Sequence, residues 1–304
     1  MSDIAAALIP VFLVIAVGWG MRRMDFPGDA FWPMAERVTY FVIFPCFIVS
    51  TLTSADLSGF NAGPMTLGLL TGVAAMTALV AATRHLFGFS GPQYTSVFQG
   101  AIRWNGFVAL AAIATLYGKP GLALAAVSFG VLVPIANLLC VYTLKRHASH
   151  EPLTFRELTL SLAGNPLLIA CAIGIAINAL GVPVPGPIGE TIHTIGVAAV
   201  PLGLLAVGAS LDLGAARQTS VALAYTSVLR LAVMPLLMFA ACTFWGVTGL
   251  PRAVAVICGA PPPAPSAYIL ARQLGGDATL MANLITATTL AAIVTMPVVL
   301  SFLI

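Results

Sequence analysis

Two short stretches in this 304-residue chain carry the residue types that its apolar remainder lacks. The first is Gln99-Gly100-Ala101-Ile102-Arg103-Trp104-Asn105-Gly106-Phe107, and the second is Gly259-Ala260-Pro261-Pro262-Pro263-Ala264-Pro265-Ser266. Their chemistry is anion recognition. A guanidinium presents a planar fork of donors that fits a carboxylate at two points. The Asn105 amide adds a donor, and a helix that starts afresh after Asn105-Gly106 or after Pro265 offers unpaired N–H groups and a partial positive charge. Ser266, directly after Pro265, stands where a hydroxyl caps the new helix. The candidate substrate-binding residues are therefore Arg103, Asn105, Gly106 and Ser266, with Pro261, Pro262, Pro263 and Pro265 shaping the backbone between them.

Each residue also has a plainer reading. Arg103 can neutralise the negative end of the helix preceding it or reach for the interface, and Asn105 can tie off carbonyls freed at a break. Tyr268, Asn137 and Asn283 follow the two stretches and are candidate cavity residues, although polar side chains in membrane helices ordinarily bond a neighbouring helix. Thr286, Thr288 and Thr289 can satisfy themselves on their own helix. Arg230 stands in apolar sequence and predicts contact with water or with an unidentified carboxylate. Asp56 and Asp212 read as helix-end residues at the interface or, more sharply, as a proton or gate site; Glu190 and Asp277 read as interfacial. Catalysis has no footing in the sequence, which contains neither HExxH nor a nucleotide loop, and the four histidines have no ligand spacing. The five cysteines are odd in number, lie in apolar sequence and form no CxxC pair, so they read as small core residues and not as metal ligands. A pore would show rings of like charge, and Arg103 alone makes no ring.

The elements that position these residues must lie in a bilayer. The composition is 60% hydrophobic and 8% charged, against about 25% charged in soluble domains. Mean hydropathy is +1.02, and the net charge of +3 is small and dispersed, which argues against nucleic acid. Apolar runs of spanning length fall at 4–21, 33–54, 63–83, 95–117, 120–144, 164–181, 188–211, 219–246, 251–272 and 278–303. The opening Met1-Ser2-Asp3 has no basic region, so the first run reads as a retained span. Four prolines in five residues cannot stay helical, and Asn-Gly is a turn dipeptide. Spans four and nine are thus expected to be broken at mid-membrane, where unwound backbone must be buried or line a cavity. Arg22, Arg23, Arg37, Arg84, Lys145, Arg146, Arg156, Arg217 and Arg272 share one side of a ten-span layout, leaving Lys119 and Arg252 on the other. By the positive-inside rule both termini are then non-cytoplasmic.

The chain also repeats itself. At an offset of 156, Pro10 meets Pro166, Gly18 meets Gly174, Pro45 meets Pro201, and Ser54-Ala55-Asp56-Leu57 meets Ser210-Leu211-Asp212-Leu213. At an offset of 158, Asn105 meets Pro263, Gly118 meets Gly276 and Leu122 meets Leu280. Five spans per copy is an odd number, so the second copy must be inverted. The expected fold is an all-α membrane protein of ten helices in a 5+5 inverted repeat with spans four and nine crossing. Residues 1–144 form the first copy, 145–163 a short cytoplasmic linker and 164–304 the second.

With the Asn105-Gly106 break, the proline-rich break and the Gly275-Gly276-Asp277 loop in view, the chain resembles the bacterial branch of the auxin efflux carrier family, which includes malonate and malate permeases. The resemblance implies a scaffold bundle and a transport bundle, each drawn from both repeats, that move elevator-fashion. It also implies carriage of weak organic acids, with Asn105 and Pro263 near substrate, and a homodimer formed through the scaffold. The chain differs from plant members in having only 145–163 between its halves, which favours a small mono- or dicarboxylate over auxin. Expected partners are that acid and the lipid of a bacterial inner membrane. No cofactor is expected, proton or sodium coupling stays open, and a sodium-coupled carrier of the bile-acid-symporter type is the alternative.

Overall fold

The computed structural model describes residues 2–55, 62–149, 156, 164–214 and 220–304. All regular structure among them is helical, and we number the helices in chain order: α1 (Ser2–Arg23), α2 (Phe31–Thr53), α3 (Ala62–Thr83), α4 (Gly91–Ile102), α5 (Gly106–Leu144), α6 (Pro166–Leu180), α7 (Gly186–Ala209), α8 (Val221–Phe244), α9 (Gly249–Gly259), α10 (Ser266–Gln273) and α11 (Ala278–Leu303). Seven helical stretches are long and apolar enough to cross a membrane, one of them the run Gly91–Ser149 that contains α4 and α5. α6 and α9 are apolar but shorter. Large apolar side chains such as Leu13, Val17, Phe41, Val228 and Phe244 face outward, as they do where lipid and not water is the solvent.

Polar residues set the helix boundaries. Ser90 and Gln93 exchange bonds as a capping box at the start of α4. Asn105 Oδ1 accepts from the Phe107 and Val108 amides and opens α5. Asn165 does the same for α6 through the Leu167 and Leu168 amides, and Asp277 opens α11 through the Leu280 amide. α5 is one long element bent at Gly118, whose φ of 56° and ψ of −144° suit glycine alone. A π turn interrupts α2 at Thr39–Ile43, and a second interrupts α8 at Leu229–Val233. Such turns admit an extra residue and re-aim the side chains around it.

Small residues let helices touch backbone to backbone, the usual route to helix association in lipid. A Cβ at Gly18 of α1 would collide with the Leu205 backbone of α7, and one at Gly208 of α7 would collide with Ile15 of α1. A Cβ at Gly174 of α6 would crowd the Leu52 side chain of α2 and touch the Val49 backbone. The interior of the molecule gathers around α4, α5, α9 and α11, where residues 108–113 and 253–263 are almost entirely buried.

Candidate functional site

The two interruptions meet in the middle of the molecule. Residues 103–105 separate α4 from α5, and residues 260–265 separate α9 from α10. They are joined directly, because the Asn105 amide donates to the Pro262 carbonyl at 2.8 Å. Pro263 has no N–H, so the link runs one way. Pro261, Pro262 and Pro263 are buried, while Pro265 borders open space.

A helix end leaves its last carbonyls unpaired and negative, and here two such ends lie side by side in the buried interior. One residue serves both. Arg230, fully buried on the π turn of α8, donates from Nη1 to Ala101 O at 3.1 Å, from Nη2 to Gly259 O at 2.7 Å and from Nε to Pro261 O at 2.7 Å. Cys258 O lies further off, at 3.5 Å from Nη2. Neither water nor a carboxylate answers this arginine, as its sequence position suggests; its partners are the backbone carbonyls of both breaks.

With those ends neutralised by Arg230, Arg103 is left for something else. It lines a cavity of about 490 Å³ bordered by α2, α5, α6, α7 and α10. Its Nη1 donates to Asn137 Oδ1 at 3.2 Å and its Nη2 to Ser266 Oγ at 3.1 Å. The fork is thus held by a side chain from each break's following helix. A guanidinium has five N–H donors, so donors remain for a ligand. Trp104 Nε1 and Asn105 Nδ2, on residues that line the same cavity, are buried donors with no hydrogen-bond partner. Gln99, one turn earlier and fully buried, has both amide atoms in the same condition. Buried polar groups are nearly always paired in proteins, so these atoms have hydrogen-bonding capacity that the protein itself does not fill.

Much of the remaining wall is apolar. Phe44 of α2 packs on Phe107 and Phe129 with ring centroids 5.4 and 5.8 Å apart, and Trp104 meets Phe129 at 6.0 Å. Val133, Leu167 and Val207 complete it. Gly203 faces the Phe107 ring so closely that a Cβ there would displace it.

Among the residues singled out by sequence, Arg103, Asn105, Gly106, Asn137 and Ser266 come together here with Pro265. Ser266 does so in a different role from the one expected. The helical turn already begins at Ala264, with Ala267 N bonded to Ala264 O and Tyr268 N to Pro265 O. Ser266 therefore falls inside the first turn, makes no cap, and turns its hydroxyl to Arg103. Tyr268 lies away from the cavity, its ring 6.0 Å from the Arg272 guanidinium. Asn283 is buried in α11, also away from it. Asp212 follows α7, where its carboxylate accepts from the Gly214 amide at 2.9 Å and its own amide donates to Thr286 Oγ1 at 3.1 Å. Asp56 lies outside the described residues. Glu36 and Tyr40 of α2, not singled out by sequence, line the cavity. The available signal for Glu36 is an acid six residues into a spanning helix, which is costly unless it faces a cavity. Among the described residues no three His, Cys, Asp or Glu side chains form a group that could hold a metal ion, and the cysteines described are unpaired.

The family model described as "Membrane transport protein" matches residues 140–300, a stretch that includes Arg230, the proline break and most of α11. The chain is also 24% identical over 296 residues to a protein of the archaeon Methanothermobacter thermautotrophicus described as an uncharacterized transporter, with 95% of each chain covered.

Proposed function

As the chain belongs to the membrane transport protein family, that of the auxin efflux carriers, we propose that it is a secondary transporter of small organic anions that binds the substrate carboxylate at Arg103. The observation that carries this reading is a guanidinium held in place by Asn137 and Ser266 inside a largely apolar cavity. A charge at membrane depth is expensive and persists where it faces a cavity or a partner. The stabilising role that would otherwise explain it, neutralising the helix ends at the breaks, is filled by Arg230.

The reading extends to ten spans in a 5+5 inverted repeat. The long run 91–149 exceeds a single crossing and bends at Gly118, and α9 with α10 makes one interrupted span. Support for the repeat comes from a mirrored contact. Gly18 touches Leu205, and the residues 156 positions away from each, Gly174 and Val49, touch one another. A pseudo-two-fold axis requires that exchange of partners. In this reading the crossover and its flanking helices move against α1, α2, α6 and α7 in elevator fashion, with those four helices anchoring a homodimer. The protein would sit in a bacterial inner membrane with both termini on the non-cytoplasmic side. Asn105, Gly106, Asn137 and Ser266 complete the substrate site.

The test is a thermal-shift panel of the purified protein against malonate, malate, pyruvate, lactate and indole-3-acetate, each in sodium and in potassium salt. A ligand that binds only the native state raises apparent stability by mass action. Stabilisation by at least one acid is expected. Stabilisation in sodium alone assigns the protein to the sodium-coupled alternative, and no response to any acid removes the carboxylate reading.

A further inference from the structure

The anion cavity contains one acidic side chain, and nothing in an anion carrier's binding chemistry calls for it. Glu36 stands on α2 in the wall that faces the break residues, and Arg103 lines the same cavity. It is half-buried, and among the described residues its carboxylate makes neither an ion pair nor a hydrogen bond. The groups around it are few. Arg37 and Tyr40 come from its own helix and Arg103 from the break opposite. The stretch of α7 packed against this part of α2, Ala199–Ala209, has no titratable side chain. At the nearby end of α1, Arg22 is paired with Asp29, and Arg23 lies over the Trp19 ring. A negative Glu36 therefore confronts any arriving carboxylate across a low-dielectric space, with no fixed partner to absorb its charge.

Resting on the carboxylate reading of Arg103, we propose that Glu36 is a proton-binding site coupled to substrate, so that an anion and a proton occupy the cavity together. An ionised Glu36 and a bound carboxylate repel, and like charges in one site favour protonation of one of them. The proton comes from bulk water through the open side of the cavity and is carried by Glu36 Oε as a neutral acid, with no bond made or broken in the substrate. The coupling is reciprocal: the anion favours the proton, and the proton favours the anion to the same degree. For a monocarboxylate the cargo of one anion and one proton is electroneutral, so the membrane potential no longer opposes its entry and the pH gradient drives it.

The experiment is calorimetric titration of the purified full-length protein with pyruvate, lactate and indole-3-acetate, which stay ionised above about pH 6. Each titration is run in phosphate and in Tris, whose ionisation enthalpies differ, so that the difference in heat counts protons taken up. Wild-type protein is expected to take up a proton fraction on binding, and its affinity should fall by up to about tenfold per pH unit where Glu36 is ionised. Glu36→Gln should bind with no proton uptake and a flat pH profile, while Glu36→Asp should keep both dependences. Heat that is the same in both buffers for the wild type overturns the proposal, whatever the variants do. Equal proton uptake by wild type and Glu36→Gln overturns it too. Failure of these three monocarboxylates to bind also overturns it, and failure of malonate and malate as well removes the Arg103 reading with it.

Discussion

Arg103 and Arg230 are both single arginines in apolar, membrane-depth sequence, and both belong to the crossing of the two breaks, yet the structure treats them differently. Arg230 is sealed from solvent and spends its donors on the carbonyls of Ala101, Gly259 and Pro261. Arg103 is half-buried, borders the cavity and is steadied by two neutral side chains, Asn137 and Ser266. Depth in the membrane is therefore a poor guide to function; what an arginine bonds is the better one. A guanidinium whose partners are fixed carbonyls holds the fold. One whose partners are neutral oxygens at the edge of a cavity is left with its charge uncancelled by them.

The comparison can be broken by substitution. Arg230→Met keeps much of the volume and removes every donor, stranding three buried carbonyls. Each orphaned group costs about 1–3 kcal/mol, so a stability loss of at least about 3 kcal/mol is expected, read as a large drop in melting temperature or failure to purify. A small drop would mean that the two helix ends do not need this residue. Arg103→Gln is expected to leave melting within about 1 kcal/mol of wild type, while weakening anion affinity by roughly ten- to a hundredfold, the worth of a charge-assisted hydrogen bond. Parallel loss of stability and affinity in that variant would merge the two arginines into one class.

Smaller changes sharpen the same contrast. Asn105→Ala removes the acceptor for the Phe107 and Val108 amides and should cost about 1 kcal/mol in a chemical or thermal melt. Pro263→Ala should cost less, about 0.4–1 kcal/mol through the unfolded chain, and should slow transport in proteoliposomes while the protein folds. Normal turnover would show that the proline break is not needed for the cycle.

Much of this arrangement is visible in the sequence. Proline and Asn-Gly announce the interruptions because they act on their own backbone, and Arg103, Asn105 and Gly106 are part of one of them. What the sequence hides is direction around the helix. A soluble helix shows its buried face by periodicity, but a helix in lipid is apolar on every side, so position along the span is visible and azimuth is not. Glu36 is not singled out by its neighbours in sequence, and only the fold places it in the cavity wall. Arg230 has no partner in its own neighbourhood of sequence because its acceptors lie 29, 31 and 129 residues away. The π turn that aims it is marked in sequence only by Pro235, two residues past its end, whose missing N–H breaks the regular helical ladder without showing which way the side chains turn. Ser266 reads as a cap because the turn starting at Ala264 depends on backbone geometry that residue types alone do not fix.

The Arg230 contacts also bear on how the chain is made. Ribosomal synthesis delivers α8 before α9, so when Arg230 first enters the membrane only the Ala101 carbonyl, among its near acceptors, already exists. An arginine at the centre of an inserting helix costs about 2.5–3.5 kcal/mol, and the Gly259 and Pro261 carbonyls that offset it emerge 29 and 31 residues later. Until the proline break arrives, the other apolar residues of α8 have to outweigh that cost. Arg230 thus reaches its full set of acceptors only once α9 and the residues after it have been made.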